Sequence, residues 1–337
     1  MPDQGSHSRS DPGLPQLAAT SRGQVSGAVT APPLEGAGND RAGALIVAIS
    51  AVAFSTAGLF TRLVEADVWT MLFWRGLFGG IMIGAYVIWT ERTAHRKAFT
   101  AIGWAGVLTA TCSTAGTICF VAALRMTTVA DVTIVYATAP FIAAGIAWVW
   151  PRERPRCVTL VASGLALLGV VILSAAALPA ARMLGNLLAL TMTILLALMM
   201  VINRRFRHVS MVPAACLSAF ACAVLVAPLA DPMSVTGADL VLLMLFGTTQ
   251  FGMGLLLLTI GSRRIPAARA SLLGNLELPL APLWIWIAFG ELPSRSTLVG
   301  GAVVCAALLR DLAADQAPGR WLGRPPLHQK APDMGRG

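Results

Sequence analysis

Charge is what this chain lacks. Asp, Glu, Lys and Arg make up 12% of its 337 residues, against about 25% in soluble domains. So few charges cannot cover a surface wetted on all sides, so soluble enzyme classes fall away first. Histidine is scarce, and the six cysteines include no CxxC pair. Cys112, Cys119, Cys216, Cys222 and Cys305 lie within apolar runs, and Cys157 lies at the edge of one. They read as small packed residues rather than a metal or disulfide framework, and no metal or other cofactor is expected. The sequence has no GxxxxGK[ST], which argues against ATP as the driver. It also has no HExxH or GxSxG, and the chain is not expected to be an enzyme. The formal net charge of +9 invites a nucleic-acid reading. The arginines instead fall in short clusters between apolar runs, where they report membrane orientation, and no nucleic-acid partner is expected.

Hydrocarbon is what the chain has. Fully 56% of it is hydrophobic, and the mean hydropathy is +0.72. Ten mostly apolar runs have the length of a membrane-crossing helix: 43–64, 68–90, 101–125, 127–150, 157–177, 185–203, 212–230, 238–260, 266–290 and 295–313. Each suits about 30 Å of hydrocarbon. The expected fold is an all-α membrane protein of ten transmembrane helices in the lipid bilayer. Residues 1–42, rich in Ser, Gly, Pro and Ala, read as a disordered tail, and 314–337 as a second polar tail. The start lacks a charged segment joined to an apolar core, so no cleaved signal peptide is expected, and the first span serves as an anchor. The connections are short and leave no room for an extramembrane catalytic domain.

Orientation follows from the basic residues. With the N-terminus inside, 20 Lys and Arg fall inside and 4 outside, and Arg75 stays in the membrane. Without the tails the ratio is still 12 to 4. The expectation is a multi-pass inner-membrane protein with both termini cytoplasmic.

The chain also repeats itself. "APFIAAGIAWVWPRERP" ends the fourth span and "LPLAPLWIWIAFGELP" ends the ninth. Pro140 and Pro279 are followed by Glu153 and Glu291, and each Glu has a proline two positions on, Pro155 and Pro293. A glycine-containing span comes next, with Gly164 and Gly169 in one copy and Gly300 and Gly301 in the other. Residues 43–177 and 185–313 thus read as two copies of a five-span unit. Five is odd, so the second copy enters the bilayer inverted. Two inverted copies offer two nearly equivalent packings, the physical basis of alternating access.

These features resemble the EamA-type members of the drug/metabolite transporter superfamily. The stretches that carry the resemblance are "FWRGLFGG" (73–80), "TTVADVTIVYATAPFIAAGIAWVWPRERP" (127–155), "NRRFRHVSMVPA" (203–214) and "SRRIPAARASLLGNLELPLAPLWIWIAFGELPSRSTLVGGAVV" (262–304). The resemblance implies a 5+5 transporter for a solute that amino acids, nucleobases, sugars or amphiphilic drugs all exemplify. Two departures stand out. Arg269 occupies a place where many relatives carry an acidic residue, and Pro279 follows Glu277 in a variant of the usual pattern.

The candidate site rests on Glu277. It lies near the centre of the ninth span, where an unpaired carboxylate must neutralise, find a partner or line a wet cavity. Gln250, Tyr136 with Thr138, and Ser55 with Thr56 lie at similar depth in spans eight, four and one. Transporter sites of this kind form near the midplane, where repeats meet. The plainer reading is that Ser and Thr bond their own helix and Gln250 joins helices, and it is preferred for Ser55, Thr56 and Thr138. On a continuous helix, Ala270, Leu273, Gly274, Leu280, Ala281 and Trp284 flank Glu277, with Trp284 as a flat apolar wall, and Asn275 turns toward a different neighbour. Arg75, about 10 Å deep by helix rise, either snorkels outward, pairs with Asp131 or anchors a substrate carboxylate. Gly76, Gly80 and Gly84 form a stripe for close helix approach. Trp286 suits an aromatic belt, and Glu153 and Glu291 read as solvated caps or gate-edge contacts.

The reading is a secondary active transporter, an exporter of a small organic metabolite or amphiphilic solute. Glu277 and Gln250 sit in its central cavity, and protonation of Glu277 couples to solute release. The alternative is a scaffold or regulatory subunit with a transporter-like fold and no flux. A homodimer is compatible with either.

Overall fold

The computed structural model describes residues 35–91, 95–127, 129–174 and 183–314. All regular structure among them is helical. In hydrocarbon no water is available to bond exposed amides, so each span must satisfy its own backbone. The first repeat runs through α1 (Glu35–Ser55), α2 (Ala57–Leu63), α3 (Val68–Glu91), the short α4 (His95–Ala101), α5 (Gly103–Met126), α6 (Val129–Tyr136), α7 (Ala139–Val149) and α8 (Cys157–Ser174). The second runs through α9 (Met183–Arg205), α10 (Val212–Val226), α11 (Gly237–Leu245), a π-helical stretch (Phe246–Met253), α12 (Gly254–Ser262), α13 (Ala267–Gly274), α14 (Glu277–Phe289) and α15 (Arg295–Ala314). Among the described residues, nine segments are long and apolar enough to cross a membrane, and Cys157–Ile172 is a shorter apolar tenth.

The ends differ from expectation. Helix α1 begins at Glu35 rather than at residue 43, and its early turns are tied down where Arg156 lies 3.4 Å from the Asp40 carboxylate. The rest of the first tail, the second tail from residue 315 and the expected end of span five at 175–177 lie outside the described residues.

The larger correction is that four spans are not uninterrupted α-helices. Span one breaks at Thr56, span four at Ala137 and Thr138, and span nine at Asn275 and Leu276. Span eight passes through the π-helical stretch. Prolines account for two of the breaks. Pro140 sits in the first turn of α7 and Pro279 in the first turn of α14. A proline there lacks an amide proton and collides with the carbonyl of the preceding turn, but at a helix start neither matters.

Small residues set the packing. The glycine stripe of α3 lies against α10: a Cβ at Gly76 would meet the Ala219 carbonyl at 2.8 Å, and one at Gly80 the Phe220 ring at 3.0 Å. Gly79 meets the π-helical stretch in the same way, 2.8 Å from Phe251 and 3.0 Å from the Gly247 carbonyl. The final spans of the two repeats, α8 and α15, pack on each other. A Cβ at Gly169 would come within 2.7 Å of the Gly300 carbonyl.

One buried ion pair joins this packing. Arg269, 2% exposed, donates from Nε to Asp311 Oδ2 at 2.8 Å. The Thr159 hydroxyl donates to the other oxygen of Asp311 at 2.8 Å. Helices α13, α15 and α8 are thereby tied at one point. Arg269, one of the 12 basic residues placed on the inner side outside the tails, is therefore an interior structural group. Removing one partner of such a pair typically destabilises by about 3–5 kcal/mol, whereas replacing both with apolar residues is far milder. Asp311→Asn should therefore lower the thermal unfolding midpoint of detergent-purified protein clearly. Arg269→Met with Asp311→Leu should recover most of the loss. An unchanged midpoint for Asp311→Asn would remove the pair from the stability account.

Candidate functional site

The helix breaks gather the candidate residues. Ser55 is the last residue of α1, Tyr136 the last of α6 and Glu277 the first of α14, and Gln250 lies within the π-helical stretch. A broken helix leaves its last carbonyls without amide partners, and in hydrocarbon these must be satisfied. The Ser55 hydroxyl donates to the Val52 carbonyl at 2.6 Å and the Thr56 hydroxyl to that of Ala53 at 2.7 Å. The Gln250 amide reaches the Phe54 carbonyl at 3.4 Å. At the α6 break the Thr138 hydroxyl donates to the Val135 carbonyl at 2.6 Å. The plainer reading of the hydroxyls is thus the observed one, and it makes the breaks possible.

At the centre, Tyr136 and Glu277 meet. The Tyr136 hydroxyl faces the Glu277 carboxyl, where span four of one repeat packs on span nine of the other. Gly274 keeps room for this contact, since a Cβ there would lie 3.6 Å from the tyrosine oxygen. Two features make the carboxyl tolerable at this depth. A polar hydroxyl lies beside it, and it occupies the first turn of α14, where the helix dipole favours negative charge. No Lys or Arg pairs with Glu277 among the described residues. Next along α14, the Trp284 indole donates to the Ser55 hydroxyl at 2.8 Å, so Trp284 is more than a wall. Helix α1 packs against α13, α14 and the π-helical stretch, which brings Ser55, Glu277 and Gln250 into one neighbourhood.

Asn275 was not among the candidates. It is fully buried, and neither of its amide atoms has a hydrogen-bond partner. The Gln250 carbonyl oxygen is also buried without one. The signal for Asn275 lay in the repeat: it stands four residues before Pro279, as Tyr136 stands four before Pro140.

Arg75 is not brought to this centre. Its guanidinium lies 4.4 Å from the Phe251 ring centroid and 5.6 Å from that of Phe246, and its buried Nε has no acceptor. Of the three readings of Arg75, pairing with Asp131 is not what forms. Asp131 accepts the Thr127 hydroxyl at 2.6 Å, and its helix α6 packs against α8 and α9 rather than α3. Phe246 and Phe251 hold the cation by their ring faces instead of a carboxylate. A cleft of about 220 Å³ lies elsewhere, near the chain ends of spans two and eight, lined by Tyr86, Thr90, Ser210, Arg263 and Arg264 among others. It is away from the helix breaks and contains none of the candidate residues.

Two five-span repeats with broken helices meeting at mid-membrane have the build of a secondary transporter. The profile of the EamA-like transporter family matches residues 41–175 and 183–309, one match to each repeat. The chain belongs to this family, and so is a multi-pass membrane transporter of the drug/metabolite transporter superfamily. No curated protein sequence matches it. A solved crystal structure, titled only as that of a protein, is similar to it with a TM-score of 0.70 and 20% identity, over 82% of this chain and 99% of that one. At that identity the likeness speaks to fold alone.

A buried amide without partners is a stability deficit. Asn275→Leu, close in volume, should raise the thermal midpoint in detergent, since leaving such a group unsatisfied costs about 1–3 kcal/mol. A lowered midpoint would mean that the Asn275 amide is structurally engaged.

Proposed function

We propose that the protein is a secondary active exporter that moves a small, partly apolar organic solute across the inner membrane by alternating access. The observation that carries this reading is the Glu277 carboxyl, held at a mid-membrane helix break against Tyr136 with no Lys or Arg paired to it among the described residues. A carboxyl there needs a proton or a cationic solute to complete it. Exchanging one for the other couples a proton gradient to solute movement. Gln250 and Asn275 supply free hydrogen-bonding atoms for a polar end of the solute, and Trp284 a flat apolar surface for the rest. Rocking of the two repeats about the Tyr136–Glu277 contact opens the site to each side in turn.

The family leaves the solute open, so the test begins with one. Metabolites that raise the thermal midpoint of purified protein, as a bound ligand does by mass action, are loaded into proteoliposomes. Glu277→Gln keeps shape and removes the ionisable group. Losing a charge-assisted contact of about 1.5–3 kcal/mol corresponds to roughly 10–150-fold, and pH-gradient-driven flux should fall by that order while solute-for-solute exchange persists. Equal gradient-driven flux in the two proteins would eliminate Glu277 as the coupling group. Absence of flux for every stabilising metabolite would favour a scaffold.

Orientation is tested separately. With Arg269 counted as interior, the basic residues of the connections still divide 11 to 4, which predicts that reporter fusions after residues 97, 156, 207 and 264 all read as cytoplasmic. A reporter on the outer side at any of them would contradict cytoplasmic termini.

A further inference from the structure

Call the membrane face where α1 starts proximal and the opposite face distal. Counting spans puts Glu153 and Arg204 on the proximal face and Arg62 and Glu291 on the distal face. Each pair is joined. Arg62 lies 2.7 Å from the Glu291 carboxylate, and Arg204 lies 3.3 Å from that of Glu153.

The two pairs are the same device built twice. Arg62 is the penultimate residue of α2, which ends span one, and Arg204 the penultimate residue of α9, the first span of the second repeat. Glu153 and Glu291 follow the second half-helices α7 and α14. In both copies the residue just before the glutamate has left-handed backbone: Arg152 at φ 56° and Gly290 at φ 70°. A residue other than glycine rarely adopts this conformation. Arg152 adopts it nonetheless, and thereby swings Glu153 off the end of its helix as Gly290 does for Glu291. Each glutamate pairs with the arginine of the other repeat, so each ion pair crosses the repeat interface at one mouth of the molecule.

We propose that Glu153–Arg204 and Arg62–Glu291 are the two latches of one alternating gate, each holding shut the mouth at its own face. This rests on the alternating-access reading above. When the repeats rock, the ends of spans one and four of opposite repeats separate at one face and approach at the other. One latch must break while the other holds. The latches are unequal. The side chains of Arg62 and Glu291 are 49% and 56% exposed, whereas those of Arg204 and Glu153 are 19% and 29% exposed. Arg204 also donates to the Arg263 carbonyl at 3.3 Å. The distal pair is the shorter, but the proximal latch is less screened by water, and its removal should shift the resting balance further.

The test is hydrogen exchange of the full-length protein in nanodiscs, read at peptides from both mouths. Glu153→Gln should raise exchange at residues 146–156 and 200–207 and lower it at 58–66 and 286–294. Glu291→Gln should do the reverse. Ion pairs of this exposure predict changes of about 2–5-fold, larger for Glu153→Gln. The charge swap Glu153→Arg with Arg204→Glu should restore the wild-type pattern. The protection gained at the far mouth is decisive, because a merely structural pair frays only its own end. Increased exchange at the mutated mouth alone, or the same pattern from both variants, would overturn the latch assignment. So would a swap that leaves the pattern shifted. Failure of the latches alongside intact gradient-driven flux would leave the transport reading standing. Reciprocal exchange without flux would keep the latches and overturn transport.

Discussion

A helix broken inside hydrocarbon must find partners for every backbone group it frees, and the structure depends on meeting that constraint. At the α1 break, three successive carbonyls, those of Val52, Ala53 and Phe54, are met by Ser55, Thr56 and Gln250. These side chains come from both repeats. The π-helical stretch of span eight thus supplies one of the partners of the break in span one. Once the breaks exist, half-helix ends and polar side chains are available at mid-membrane, where an unbroken helix offers neither.

The same constraint links packing to motion. Glycines let α3 lie close against α10 and the π-helical stretch, and α8 against α15. The Arg269–Asp311–Thr159 cluster fastens α13 to the α8–α15 pair. Beyond the break, α14 contacts α1, α2 and α15 and is fastened by no comparable buried cluster among the described residues. The two halves of span nine are thus held differently. Glu277 sits at their junction, where a change in its occupancy is best placed to bias their relative position.

Much of this was legible in the sequence because it depends on local pattern. The apolar runs and the Pro–Glu–Pro spacing gave the helical spans and the two-repeat architecture, and the glycine stripe of α3 packs as its period requires. Glu277 was visible because a carboxylate amid Leu and Pro is costly anywhere in a membrane. What escaped depends on distant partners. Arg269 and Asp311 lie 42 positions apart, and nothing local distinguishes a buried Arg269 from a loop arginine. Arg75 offered Asp131 as the nearest partner by charge, yet the phenyl rings of Phe246 and Phe251 hold it. The break at Thr56 has no proline to announce it. Trp284 was legible as apolar surface and Ser55 as a self-bonded hydroxyl, but their contact required the fold.

The central claim is that the Glu277 carboxyl exchanges a proton for the solute. Its most direct measurement is the number of protons released or taken up when a stabilising metabolite is added to purified protein in weak buffer, followed with a pH indicator. The account predicts about one proton per bound cationic solute in the wild type, as one ionisable group requires, and none in Glu277→Gln at matched occupancy. The same proton count in both proteins would contradict it.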